Sequence, residues 1–247
     1  MYHKTEGLVL REVLYQDADK LLSVLTRDQG LLTLRARGVR ARTSRIRGAC
    51  QLLCYSEFTY FEERGKASIR EAQPIEQFSG LRSDLEKLAL ASYFAQLAET
   101  VSQEDFPTGE LMTLTLNALY ALSYLDYSQD QIKAAYELRL ACLAGFQPQL
   151  EECPFCGSET PDCFNVTQGT VQCKDCAKEG EGLRLPMSPG TREAMRYITM
   201  QQLKKLFSFS VSESVLHELS GICETFLAAQ FERGFSALDF YKSLRIE

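Results

Sequence analysis

Two Cys-x-x-Cys pairs, Cys153-Pro-Phe-Cys156 and Cys173-Lys-Asp-Cys176, stand 16 residues apart and are the residues of this chain best suited to chemistry. Zinc takes four tetrahedral ligands, and thiolates suit it. Each pair puts two sulfurs on one tight turn, and the stretch from Gly157 to Gln172 closes the loop between the pairs. The spacing reads as a zinc site with Cys153, Cys156, Cys173 and Cys176 as ligands. Four sulfurs leave no open position for water or substrate, so one structural Zn2+ per chain is expected. The competing reading is a pair of disulfides, or free thiols. Cys163 lies between the pairs without a partner at that spacing and stays outside the ligand set. Cys142 and Cys223 fall in helical patterns, as small core residues.

The second cluster is cationic. Arg35, Arg37, Arg40, Arg42, Arg45 and Arg47 fall within thirteen residues, with no acid among them. Such a run repels itself and favours a polyanion nearby. Guanidinium groups pair bidentately with phosphate oxygens, which Lys cannot match. Side-chain alternation puts Arg35 and Arg37 on one face of a strand. Gly38 lets the backbone turn or approach a phosphate, and Thr43 and Ser44 add hydroxyl donors. The alternative is a solvated loop that keeps a sheet edge soluble.

The first 76 residues must position that loop, and they read as strands. Gly7–Leu10, Leu21–Thr26 and Leu31–Leu34 are short apolar runs, and Asp28-Gln29-Gly30 is a hairpin turn between the last two. Gln51 to Phe61 alternates with period two, and Arg64-Gly65-Lys66 turns the chain into a last strand, Ala67–Ala72. Five strands with turns about every 10 residues suit a small barrel of the OB type, a common single-strand binder. Tyr55, Phe58 and Tyr60 are either stacking surfaces or barrel core. Asp17-Ala18-Asp19 is either an acidic site or a turn before a strand.

After Pro74 the period becomes helical. Leu90, Phe94, Leu97 and Val101 form one stripe, and Leu111, Leu114, Ala118, Leu122 and Leu125 a second. Ser128 opens a capping box before Ile132, Tyr136, Leu140 and Leu143, and Gly145 closes that helix. Ser188-Pro189 starts another helix. Val215, Leu219, Ile222 and Phe226 form a last stripe, stopped near Gly234. The stripes are core or a groove for an apolar peptide. The expected organisation is an N-terminal barrel over 1–76, one α-helical bundle over 77–149 and 187–247, and the cysteine module inserted at 150–186.

Composition narrows the function. No run of about 18 apolar residues appears, so no membrane span is expected. The N-terminus lacks an apolar signal core, and nine cysteines, an odd number with four in metal spacing, fit a reducing cytosol. The net charge of −6 is unevenly spread: residues 1–80 carry 13 Lys/Arg and 10 Asp/Glu, residues 81–247 carry 14 and 23. A basic front and an acidic back suggest different partners. An enzyme is not expected. The two histidines, His3 at a terminus that need not be ordered and His217 on a helix surface, sit in no motif with a nucleophile. There is no phosphate-binding Gly-x-x-x-x-Gly-Lys-Ser/Thr loop, and no His-x-Glu precedes the cysteines as in zinc deaminases.

Barrel, arginine loop, helices and four-Cys module, in this order, resemble the RecO family of bacterial DNA repair proteins along most of the length. The most specific piece is Gly7-Leu8-Val9-Leu10, Asp19-Lys20, Leu25-Thr26-Arg27-Asp28-Gln29-Gly30, Ala36-Arg37-Gly38-Val39-Arg40 and Ser44-Arg45. Leu81-Arg82, Asp84-Leu85 and Ala91-Ser92-Tyr93 match the family's first helical segment, and the four cysteines look like the zinc finger of many members. Two departures stand out: Asp17 where the family usually has Glu, and the overall acidity. The resemblance implies a recombination mediator of the bacterial cytosol and nucleoid. Such proteins bind single- and double-stranded DNA, anneal complementary strands and, with RecR and in some settings RecF, help load RecA. They also bind the tail of the single-stranded-DNA-binding protein. Arg37, Arg40 and Arg45 match family positions, whereas Arg35, Arg42 and Arg47 enter by clustering. The reading from another class is a protein–protein adaptor with a structural zinc module and weak DNA binding.

Overall fold

The computed structural model describes residues 1–176 and 181–245; residues 177–180 of the cysteine module and the last two of the chain lie outside it. Five strands, β1 (Tyr2–Tyr15), β2 (Asp19–Thr26), β3 (Gly30–Ala36), β4 (Tyr55–Glu63) and β5 (Lys66–Glu76), close into a barrel of order β1-β2-β3-β5-β4. The closure is OB-like. The long β1 pairs with β4 over Tyr2–Leu8 and with β2 over Gly7–Tyr15, and its register shifts between Val9 and Arg11. That bulge bends the strand so that one segment can serve two neighbours. Only β3 and β5 run parallel. Val9, Leu22, Val24, Leu34, Phe58, Tyr60 and Ile69 fill the interior.

Gly30 makes the β2–β3 hairpin possible. Its φ is +67°, and a Cβ there would lie 2.1 Å from the Gln103 carbonyl oxygen. The hairpin docks against residues 103–108: Leu31 N–H donates to Gln103 O at 3.1 Å, Asp105 N–H to Gln29 O at 3.1 Å, and the Thr108 hydroxyl to Thr26 O at 2.6 Å.

Three expectations about the barrel change. Strand β4 starts at Tyr55, not Gln51. Residues 51–54 form a turn in which Leu53 has φ +61°, with Leu53 N–H donating to Val9 O and Val9 N–H to Cys54 O. Phe58 and Tyr60 are buried core, which removes them as stacking surfaces. His3 is ordered within β1, its ring stacked on Tyr60 at 5.1 Å.

The chain forms two compact units, Met1–Leu125 with the residues from Phe235 on, and Asp126–Gly234. The barrel therefore shares its unit with α1 (Ser79–Arg82), α2 (Leu85–Val101), α3 (Gly109–Tyr124) and α7 (Ser236–Ser243), the last a helix that no stripe in the sequence announces. α7 packs on α2, where Tyr93 meets Phe235 edge to face at 5.8 Å. The single bundle expected over 77–149 and 187–247 is divided, because α2 and α3 bury their stripes within the barrel's unit. The buried Leu90, Phe94, Leu97, Leu111, Leu114, Ala118 and Leu122 belong to that core.

The second unit packs α4 (Gln129–Leu143), α5 (Pro189–Met200) and α6 (Glu213–Phe231) together. Ser128 caps α4 by accepting from Gln131 N–H at 3.1 Å, and Ser188 caps α5, with Pro189 in its first turn. Ile132, Tyr136, Leu140, Leu219, Ile222 and Phe226 are buried. Lys133 is buried with them, 3.0 Å from Glu137 and 2.8 Å from Glu224, and ties α4 to α6. Between α4 and α5 lies a three-stranded antiparallel sheet of order β7-β6-β8, made of β6 (Cys163–Asn165), β7 (Thr170–Gln172) and β8 (Arg184–Pro186). No helix among the described residues is long and apolar enough to cross a membrane.

Candidate nucleic-acid interface and metal centre

The arginine cluster occupies the connection from β3 to β4. Its sequence interleaves cations with apolar residues, and the apolar ones decide its shape. Val39, Ala49 and Cys50 are buried in the barrel core, and Ile46 packs against it. Turns between these anchors hold it: Ala41 N–H donates to Gly38 O at 3.1 Å, Ser44 N–H to Ala41 O at 3.0 Å, and Cys50 N–H to Ile46 O at 3.1 Å. With the apolar side chains turned inward, Arg37, Arg40, Arg42, Arg45 and Arg47 are all exposed. Among the described residues no ion pair engages any of these five.

Asp19 fixes the start of the loop. One carboxylate oxygen accepts from the Gly38 N–H at 2.8 Å, and the other accepts from Arg35 Nε at 2.8 Å. Gly38 has φ +61°, which aims that N–H at the carboxylate. The Gly38 N–H and the Arg35 guanidinium hold the Asp19 carboxyl below its ordinary pKa, against a smaller upward push from burial. Arg40 is tied to the preceding turn: its N–H donates to Ala18 O at 3.0 Å and its Nη1 to Asp17 O at 2.9 Å. Asp17 and Ala18 thus form a turn and Asp19 opens β2, as the turn reading of Asp17-Ala18-Asp19 expects.

Arg35 differs from the rest. It is half-buried, ion-paired to Asp19 at 2.7 Å, bonded to Gln16, and stacked 5.0 Å from the centre of the Tyr15 ring. Arg37 does not share a strand face with it, because β3 ends at Ala36 and Arg37 lies in the turn beyond. The cluster therefore divides into one internal anchor and five outward cations. The role of Asp19 is not evident from sequence. Apart from the Asp19-Lys20 match to the family, its signal there is an acid that precedes the basic run in chain order, and the hairpin brings the two together.

The four cysteines converge. The sulfurs of Cys153, Cys156, Cys173 and Cys176 all lie within 4.8 Å of one another. Cys156 and Cys173 sulfurs are 3.7 Å apart, and Zn–S bonds of about 2.3 Å in a tetrahedron imply about 3.8 Å between sulfurs. Gly157, with φ +69°, folds the first knuckle: its N–H donates to Cys153 O at 2.9 Å, and Cys153 N–H donates to Ser158 O at 2.9 Å. Burial pushes the Cys153 thiol up, but backbone N–H groups of Cys173, Phe155 and Cys156 outweigh it and bring its pKa to about 6. Cys176, facing the other sulfurs, is pushed up to about 12. Four thiolates this close need a cation among them, so the donor set fits a metal ion. All nine cysteines are free of disulfides, and Cys163 stands outside the cluster, on β6.

The whole chain has known counterparts. The family model described as "Recombination protein O N terminal" matches residues 1–78, and "Recombination protein O C terminal" matches residues 82–239. The chain is 35% identical over 245 residues to a DNA repair protein RecO of Acetivibrio thermocellus, covering 98% of this chain and 97% of that protein. It is 31% identical to a DNA repair protein RecO of Desulforamulus reducens, covering 98% and 94% of the two. A third, from Symbiobacterium thermophilum, is 29% identical over 248 residues. Two family models over nearly all residues and relatives of matching length place this chain in the RecO family of DNA repair proteins.

Proposed function

We propose that this RecO-family chain is a non-enzymatic recombination mediator of the bacterial cytosol, associated with the nucleoid. It binds single- and double-stranded DNA through the outward arginines and anneals complementary strands. With RecR, and in some settings RecF, it helps load RecA onto DNA coated by single-stranded-DNA-binding protein, whose tail it also binds. The observation that carries this reading is the set of five exposed arginines, free of ion pairs among the described residues, held on a barrel by buried apolar anchors.

The physics of annealing needs no base-reading code. Each arginine that neutralises a phosphate releases counterions and weakens the repulsion between two strands. Base pairing then supplies sequence specificity. Arg37, Arg40, Arg42 and Arg45 carry most of this, Arg47 extends it, and Arg35 acts by holding the loop through Asp19. Replacing Arg37, Arg40, Arg42 and Arg45 together with alanine should slow annealing of complementary oligonucleotides at least tenfold while leaving the melting temperature unchanged. Wild-type annealing by that variant would refute the assignment.

The four cysteines hold one zinc ion, which supplies cross-linking of two knuckles and no reaction step. Metal analysis should find about one zinc per chain, and a strong chelator should lower the melting temperature, because binding energy at such a site is folding energy. Substoichiometric metal with chelator-independent melting would contradict this.

The acidic balance of residues 81–247 favours a second reading, a protein–protein adaptor with weak DNA contact. Tight RecR binding combined with negligible DNA binding would select it.

A further inference from the structure

The barrel's unit carries a cleft whose lining joins distant parts of the chain. Its volume is about 460 Å³, and β1, β2, the loop after β3, and α1 all contribute to it. Such a volume lies within the ~300–1,000 Å³ range of clefts that enclose a small ligand. Arg40 and Arg47 line it from the loop, and Arg82 lines it from α1. Two of the three are pre-positioned by a single backbone carbonyl each. Arg40 Nη1 donates to Asp17 O at 2.9 Å, and Arg82 Nη2 donates to Leu52 O at 3.2 Å. A guanidinium has five N–H donors, so each keeps most of them for an anion. Lys20 and Glu12 also face the cleft, but they are paired with each other at 2.7 Å and add no net charge. Three uncompensated guanidinium groups therefore face one concavity.

Its remaining wall is mixed, with the amide of Gln51 and the thiol of Cys50 beside three aliphatic side chains. Leu14, Val39 and Leu52 lie among the arginines, and Leu14 is 65% exposed. Charge for an anion beside a small apolar wall fits a ligand that joins a phosphate to a flat, weakly polar ring. A nucleotide has this composition. In a duplex the bases are stacked and paired, so none of its nucleotides enters such a cleft. An unpaired nucleotide can turn its base into it.

We propose that this cleft takes one unpaired nucleotide of a DNA single strand. Its phosphate meets Arg82, Arg47 and Arg40, its base lies against Leu14, Val39 and Leu52, and Arg82 determines the preference for single strand over duplex. The proposal rests on the reading of the arginine loop as a DNA-binding surface, and it adds a residue from outside that loop.

The test compares the full-length protein with Arg82→Ala and Arg82→Lys. Anisotropy is recorded with a labelled thymidine oligonucleotide and with a duplex of equal length, at one fixed salt concentration, and thermal melting is run on each variant. Arg82→Ala should weaken single-strand binding about tenfold, the loss of one bidentate phosphate contact, and change duplex binding less than twofold. Arg82→Lys should recover part of the loss. A single strand carrying 2-aminopurine should brighten on binding the wild type, as its base leaves the stack, and stay dim with Arg82→Ala. Should Arg82→Ala melt early, Leu52→Asp, which puts a carboxylate in the same wall, should give the same selective loss. Equal losses on both DNA forms, or no loss on either, would overturn the cleft assignment while leaving the loop reading intact. Failure of the wild type to bind either form would instead remove the loop reading, and the cleft with it.

Discussion

Asp19 decides how the arginine loop leaves the barrel. Its carboxylate gathers the Gly38 N–H and the Arg35 guanidinium, so one acid fixes both the last turn of β3 and the cation that does not face solvent. Asp19→Asn should cost about 1–3 kcal/mol at neutral pH, since it weakens two charge-assisted hydrogen bonds in a part-buried site. The pH dependence has a definite sign. The folded-state pKa lies below the unfolded value, so the stabilisation is fully present above about pH 4 and is lost as pH falls through the lower folded value. Urea denaturation at pH 7 should separate wild type from Asp19→Asn, and denaturation near pH 3 should bring the two closer. Equal stability at pH 7 would show that the carboxylate does not hold the loop. At this scale the sequence was legible where chemistry restricts residue type and spacing, as at Cys153, Cys156, Cys173 and Cys176. It was not legible for Arg35, whose partner Asp19 lies 16 residues earlier and is reached only through the β2–β3 hairpin. By residue type and spacing, Arg35 looks the same as Arg37.

At the scale of elements, the hairpin at Gly30 both closes β2 onto β3 and docks on residues 103–108. Gly30→Ala forces a side chain into a positive φ and drives a Cβ to 2.1 Å from the Gln103 carbonyl. It should cost at least about 2 kcal/mol, from backbone strain and the clash together, and should be read as a fall in the denaturation midpoint. An unchanged midpoint would mean that the 103–108 segment yields without loss. The hairpin itself was plain in sequence because Asp28-Gln29-Gly30 interrupts two apolar runs. The first turn of β4 was not. Leu52 and Cys54 continue the period-two alternation into 51–54, but backbone bonds from Val9 and the positive φ of Leu53 bend that stretch out of the sheet. Helices α2, α3, α4 and α6 followed from their stripes and α5 from its Ser-Pro start. α7, only eight residues long, is too short for a stripe to reveal and takes its order from packing on α2.

Over the whole molecule, the grouping of helices was the least legible feature. A stripe states that a helix is buried but not against which partner, so α1–α3 and α7 could not be assigned to the barrel's unit from periodicity alone. Charge distribution, by contrast, follows directly from residue type and position along the chain. The acidic excess lies after residue 80 and the arginine cluster before it, so a polyanion is attracted locally by a chain whose net charge of −6 repels it at longer range. Screening shortens both effects, but exposed guanidinium groups in contact with phosphates retain a counterion-release dependence on salt. The most direct test of the account is therefore anisotropy of a labelled single-stranded oligonucleotide titrated with the full-length protein over a series of salt concentrations. Tight binding at low salt is predicted, with log K falling by about 0.7 per phosphate contacted for each unit of log salt, and a shallower slope once Arg37, Arg40, Arg42 and Arg45 are replaced by alanine. No binding at low salt, or the same slope in the quadruple variant, would contradict the claim that the arginine loop is the DNA-binding surface.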